Sequence, residues 1–307
     1  QNLNSDQVSG IDGMVRWNDR VNDFNYFVGV NLTLARQKTI NNYGEVFLNG
    51  WDQYRWAQTN RWSNVKNGAV WMWETIGVFQ TQEEIDNYPV NIDGANNVNL
   101  RPGDLIFKDV NGDGLIDDYD KRPLGYAATD YDWDSGNANK NPLLSMGINL
   151  GFEYKGIDFA ADFAGGFMNT FIGDWHVKYG IGTDQMGYVY NVIDSWQHED
   201  IFDTKSPWKR GKFPAVRSNN PSIRDWNDFY AKEINYLRLR NLVVGYTLPI
   251  KWTKKALIQK LRVYFEGSNL LCWDSLNDFG FDPEISSVTG FDYPQHKVYT
   301  VGVNVTF

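Results

Sequence analysis

Hydrophobic and polar residues alternate with a period of two over long stretches of this chain. Phe24, Tyr26, Val28, Val30, Leu32 and Leu34 share one parity, while Asn25, Gly29, Asn31, Thr33 and Gln37 share the other. The pattern returns at Leu144, Met146, Ile148, Leu150, Phe152 and Tyr154, opposed by Ser145, Gly147, Asn149, Gly151 and Glu153. It returns at Ile157, Phe159, Ala161, Phe163 and Phe167, and once more at Tyr299, Val301, Val303, Val305 and Phe307. Residues two apart face the same way on an extended strand, so these are strands with one apolar and one small or polar face. Ile11 to Asn18 and Leu261 to Glu266 repeat the pattern more weakly. From Glu233 to Leu248 the alternation changes phase. Leu237 and Leu239 fall on one parity; Leu242, Val244, Tyr246 and Leu248 fall on the other. A β-bulge near Arg240-Asn241 reconciles the halves.

The connections are as informative as the strands. Asp19 to Asp23 is short, Lys155-Gly156 is a two-residue turn, and Pro249 to Lys260 is short to medium. Between them lie long connections at roughly 39–142, 172–232 and 273–295. Short and long therefore alternate strictly, as in outer-membrane barrels with short periplasmic turns and long extracellular loops. The expected fold is all-β: about seven strands of an antiparallel transmembrane β-barrel with long extracellular loops. An odd set of strands does not close a barrel of even strand number, and open edges are costly in lipid. The chain is thus expected to be a piece, completed by strands from another segment or chain.

Composition agrees. Aromatic residues make up 16% of the chain although its mean hydropathy is -0.49. Lipid-facing and water-facing residues mixed along each strand, with polar loops between, give that combination. No apolar run approaches the length of a membrane helix, and Gln1-Asn2-Leu3-Asn4 lacks the character of a signal peptide. The net charge of -9 argues against a nucleic-acid partner. One cysteine, Cys272, leaves no internal disulfide or cysteine zinc site, and reads as a small wall residue. His176, His198 and His296 lack metal spacing, and no hydrolase, zincin or phosphate-loop motif occurs, so no catalytic residue is expected.

Four stretches carry a resemblance to a known family. Asn235 to Pro249 reads NYLRLRNLVVGYTLP, Val263 to Leu271 reads VYFEGSNLL, and Tyr293-Pro294-Gln295 leads to the terminal VGVNVTF. Gly103 to Asp109, with the loop after it, reads GDLIFKDVNGDGLID. In this order they resemble the C-terminal part of SusC/RagA-type TonB-dependent outer-membrane transporters. The chain departs from that family at Trp73-Glu74-Thr75-Ile76, where Gly-Tyr is usual before the Gly-Phe-Gln stretch. The resemblance implies that residues 1–307 belong to a barrel of about twenty-two strands. The N-terminal plug and the TonB-contact segment would lie outside this chain. It further implies a SusD-like surface lipoprotein as lid, energy from TonB, and import of oligomeric nutrients across the cell outer membrane. Oligosaccharides are the expected cargo and peptides the alternative. Phe307 resembles the terminal aromatic read by the outer-membrane assembly machinery.

One local motif points to a metal. Asp109 to Asp120 fits D-x-N-x-D-G-x-I-D-x-x-D, an EF-hand-like loop. Asp109, Asn111 and Asp113 would supply side-chain oxygens to calcium, Leu115 its carbonyl, Asp117 a direct or water-mediated oxygen, and Asp120 the closing carboxylate. No helix is expected before the loop, so the reading is a structural calcium staple. Trp51, Trp56, Trp62, Trp71, Trp73, Trp133, Trp175, Trp196, Trp208, Trp226 and Trp273 fall in the expected outer loops. As a set they suit a recognition surface, although long loops also need aromatic cores. Asp158, Asp162 and Arg238 are expected to line the lumen, and Thr81 with Glu84 reads as a capping box. Two rivals are a secreted, calcium-stapled carbohydrate-binding β protein and an outer-membrane glycan hydrolase.

Overall fold

The computed structural model describes residues 5–41, 50, 69–126, 142–172, 194–217, 220–223, 227–276, 282–284 and 295–307. Its strands are β1 (Ser5–Val21), β2 (Phe24–Asn41), β3 (Ala69–Met72), β4 (Thr75–Val78), β5 (Leu105–Phe107), β6 (Arg122–Tyr126) and β7 (Leu144–Tyr154). They continue with β8 (Ile157–Ile172), β9 (Gln197–His198), β10 (Trp208–Lys209), β11 (Ala231–Thr247), β12 (Lys260–Asp274) and β13 (Val298–Thr306). Seven of these form one antiparallel sheet in the order β1-β2-β7-β8-β11-β12-β13. The sheet is open, with β1 and β13 at its edges. No helix among the described residues is long and apolar enough to cross a membrane, which leaves crossing by strands untouched.

Register sorts the side chains as the alternation requires. On one face Val15 meets Val30, which meets Ile148, which meets Phe163 and, through it, Leu239 and Leu271. The register slips at Arg240, between Leu239 and Asn241, against both neighbours of β11. That bulge carries Leu237 and Leu239 onto the same face as Leu242, Val244 and Tyr246. The apolar alternation of β7 occupies its 11 residues. At ~3.3 Å per residue and a tilt near 45° that spans about 26 Å, close to the apolar band of an outer-membrane barrel. Several strands outrun this band: β2 loses its apolar parity after Leu34 but pairs on to Asn41, and β1 begins at Ser5. Polar strand outside lipid has no period to reveal it.

The other face is polar and is filled by side chains lying across glycines. Asp158 of β8 and Arg262 of β12 meet at 2.5 Å over Gly245 of the intervening strand. A Cβ on Gly245 would come within 2.5 Å of both charged groups. Tyr264 lies over Gly302 and Asn31 over Gly147 in the same manner. Asn149 donates to Asp162 at 2.7 Å. Phe27 also lies on this face, over Gly151 and under the Arg16 guanidinium. Lys155 and Gly156, both at positive φ, close the β7–β8 hairpin.

The dense core lies outside the sheet. Trp73, Phe79, Ile85, Ile92, Leu100, Leu105, Phe107 and Ile116 come from the connection between β2 and β7. They pack with Phe213 and Tyr230 from the β8–β11 connection, with Ile234 of β11, and with Leu276 from the β12–β13 connection. Three connections thus build one crown at the end of the sheet opposite the hairpins.

Candidate functional site in the loop crown

The crown is stapled by buried polar groups. Asp104 is fully buried and accepts from Arg217 Nη1 at 2.7 Å, Arg217 Nη2 at 2.6 Å and the Arg101 backbone N–H at 2.7 Å. Arg217 belongs to the connection before β11 and Asp104 to the one before β7, so the pair ties two loops together. Ser222 adds a second tie, its hydroxyl accepting from the Leu105 N–H at 2.8 Å. Asp93 shapes a tight turn by accepting from the N–H groups of Ala95, Asn97 and Asn99. Burial pushes the Asp93 carboxyl up, but those N–H donors outweigh it and hold it below the usual range.

The EF-hand-like loop is closed on itself. Asp109 accepts from the Gly112 and Gly114 N–H groups at 2.6 and 2.8 Å, and Asn111 from Asp113 N–H at 3.0 Å. Asp113 accepts from Leu115 N–H at 2.9 Å, and Asp117 from Tyr119 N–H at 2.7 Å. Asp120 is fully buried and accepts from the Val110 and Asp117 N–H groups at 2.7 and 2.9 Å. Burial, with Asp109 nearby, pushes its carboxyl up. Gly112 and Gly114 take positive φ, as the sharp turn needs. All candidate donors are oxygens, the chemistry a hard cation takes. Among the described residues, however, no three His, Cys, Asp or Glu side chains converge as a metal-holding group. The loop is fixed to the crown by Trp73, whose ring N–H donates to the Asp117 carbonyl at 2.7 Å.

The tryptophans divide. Trp73 and Trp196 are buried in the crown and serve packing, not recognition. Trp208 packs against His198 in a tilted pair with centroids 4.0 Å apart. Trp71 belongs to β3, inside the first long connection. The sequence pattern places Trp273 in a loop, but β12 runs on through it. There it stacks against Phe163 of the apolar face at 6.5 Å. Trp51, Trp56, Trp62, Trp133, Trp175 and Trp226 lie outside the described residues, as does His176. Thr81 caps the short helix Gln82–Asp86 as expected, accepting from Glu84 N–H, while the Glu84 carboxylate reaches the Gln80 N–H instead of the cap's own.

Arg238 faces the polar side, nearly buried, and pairs with Asp282 at 2.6 Å and Glu284 at 2.9 Å; Arg240 also pairs with Glu284. The last long connection is thereby pinned against the polar face of β11. Partners so distant in sequence leave no local signal, and neither this latch nor Asp104–Arg217 follows from the pattern alone. Cys272, opposite Arg238 in the register, is half-buried in the wall.

A wall of long antiparallel strands, apolar on one face, glycine-rich and polar on the other, with a crown at one end, defines a stretch of outer-membrane-type β-barrel. No family model matches the chain. Curated relatives do: TonB-dependent receptor P3 of Formosa agariphila is 26% identical over 261 residues, covering 78% of this chain and 22% of the relative. TonB-dependent receptor P26 of the same organism is 26% identical over 249 residues, covering 76% and 22%. The RagAB peptide transporter structure superposes with a TM-score of 0.60 at 22% identity, over 100% of this chain and 30% of that one. RagAB in its closed-closed state gives 0.60 at 20%, over 100% and 30%. By sequence and fold together, the chain resembles part of a SusC/RagA-type TonB-dependent receptor barrel. It spans about a fifth of the length of the curated relatives it matches. Those relatives are named as TonB-dependent receptors and a peptide transporter.

Proposed function

We propose that this chain forms wall and extracellular loops of a barrel that imports oligomeric nutrients across the outer membrane. The observation that carries this reading is the apolar face, continuous across seven paired strands and open to its surroundings. Ile11, Val15 and Val301 are each about three-quarters exposed on it. A soluble protein does not leave so large a contiguous apolar surface in water. That argues against the secreted binding protein. The hairpin end then faces the periplasm and the crown the exterior. The remaining strands and the plug come from the rest of the barrel, TonB supplies the energy, and a SusD-like lipoprotein closes over the crown. Oligosaccharides are the proposed cargo. Peptides are the second reading, favoured by the fold likeness to RagAB and by the loss of Trp73 and Trp196 to the crown's core.

Extraction of the native protein in mild detergent, followed by intact-mass analysis, tests the assembly. Co-purification with a larger barrel segment and a lipoprotein supports it; a monomer soluble without detergent refutes it. Uptake of labelled oligosaccharides against labelled peptides by intact cells separates the cargoes.

Calcium is proposed as a staple of the crown, held by Asp109, Asn111, Asp113, the Leu115 carbonyl, Asp117 and Asp120. The support is the all-oxygen donor set, the paired glycines, and a buried carboxylate beside a second one. Added calcium should raise amide protection across residues 109–120, and Asp120→Asn should abolish the gain. Protection that ignores calcium removes the metal.

A further inference from the structure

The turn between β11 and β12 stands apart from an otherwise acidic protein. From Ile234 to Phe265 the sequence contains no Asp or Glu, yet it carries Lys251, Lys254, Lys255 and Lys260. The turn folds as the short helix Ile250–Thr253 followed by a 3-10 turn over Lys254–Ala256. Among the described residues, Lys251, Lys254 and Lys255 are paired with no carboxylate. Three large apolar side chains on the same turn are also uncovered: Ile250, Trp252 and Leu257, the last 83% exposed. Lysines alone would mark an ordinary solvated turn. Uncovered Trp, Ile and Leu among them do not, because each leaves apolar surface in water.

The position of the turn says what covers it. It begins directly beyond Tyr246, where the apolar face of β11 ends, and returns into Leu261, paired with Val305 on that face. Gln259 donates to the Thr306 carbonyl, which sets the turn beside the exposed Phe307. The uncovered side chains thus sit on a turn directly past the end of the apolar face. Indole rings and lysines at that depth meet headgroups: the ring sits at the boundary while the ammonium groups reach phosphate.

We infer that the β11–β12 turn is an interfacial anchor that binds anionic phospholipid headgroups of the leaflet at the hairpin end of the barrel. This rests on the membrane-barrel reading. Each lysine near a charged surface contributes about fivefold to binding at low salt. Trp252 and Leu257 add an apolar component that salt does not screen.

The test uses the native complex in detergent, examined by native mass spectrometry with palmitoyl-oleoyl phosphatidylglycerol or the matching phosphatidylcholine. Wild type should retain phosphatidylglycerol in preference. The triple variant Lys251→Gln, Lys254→Gln, Lys255→Gln should lose that preference by about tenfold or more, and the triple Lys→Arg variant should keep it. Trp252→Ser should weaken both lipids alike. Equal phosphatidylglycerol retention by wild type and the triple Gln variant overturns the inference. So does loss of a protein subunit with lipid binding unchanged, which would assign the turn to a protein partner. If the complex proves soluble without detergent, the barrel reading itself has failed, a result distinct from either.

Discussion

Arg217→Ala offers a direct measure of what holds the crown together. Among the described residues, truncation leaves the fully buried Asp104 carboxylate with only the Arg101 N–H as a donor. Stranding a charge in a dry interior costs about 3–5 kcal/mol. The Arg217 side chain is 23% exposed, so water can reach part of the vacated space. We therefore expect about 2–3 kcal/mol, which corresponds to roughly a 30- to 150-fold rise in local opening. Hydrogen exchange on the detergent-solubilised complex reads it: amides of residues 73–120 and 194–217 should lose protection by that factor, while the strand amides of β7 and β8 hold theirs. Adding Asp104→Asn to the same protein should restore part of the loss, because a neutral amide tolerates burial better than an unpaired carboxylate. A fall in crown protection under threefold, or a double variant worse than the single, would refute the reasoning.

The remaining expectations use other sites. Gly103 sits at a φ of +94°, and a Cβ there would come within 2.5 Å of Trp196. Gly103→Ala should thus displace that ring and destabilise the crown by about 2–4 kcal/mol, seen as faster proteolysis of the loops with unchanged heat-modified migration of the barrel. Gly245→Val should break the Asp158–Arg262 bridge and cost the wall about 1–3 kcal/mol, read as a lower temperature for the heat-modified band shift; an unchanged shift counts against the packed polar face. The Asp93 carboxyl is held below its usual range when folded, so it contributes stability that is present above the ordinary Asp value of about 4 and is lost as pH falls through the folded value. Crown protection should therefore decline on acidification below about pH 4, and Asp93→Asn should flatten that part of the profile.

Much of the wall was legible because lipid enforces a strict period. Seven strands, the Lys155-Gly156 hairpin and even the bulge at Arg240 follow from which residues must face outward. The strand ends did not follow: Ser5 to Gly10 and Arg36 to Asn41 pair beyond the apolar band, where nothing forces alternation. Phe27 evaded the pattern too, because cover from Arg16 lets an aromatic ring sit on the polar face. The crown was the least legible part. Its tryptophans read as a recognition surface from composition, yet Trp73 and Trp196 are spent on packing. Its ties, Asp104 with Arg217 and Arg238 with Asp282, join residues 113 and 44 positions apart.

The crown's composite origin bears on how such loops can diversify. Phe107, Phe213 and Leu276 meet in one core although three separate connections deliver them. A loop transplanted alone from a relative would arrive with half of someone else's interface and leave its new neighbours uncovered. Point changes on the rim leave this core untouched, whereas exchange of one connection should succeed only when the others travel with it. Loop sequence in this architecture should therefore be inherited in blocks, with recombination breakpoints falling in the strands of the wall and not between one loop and the next.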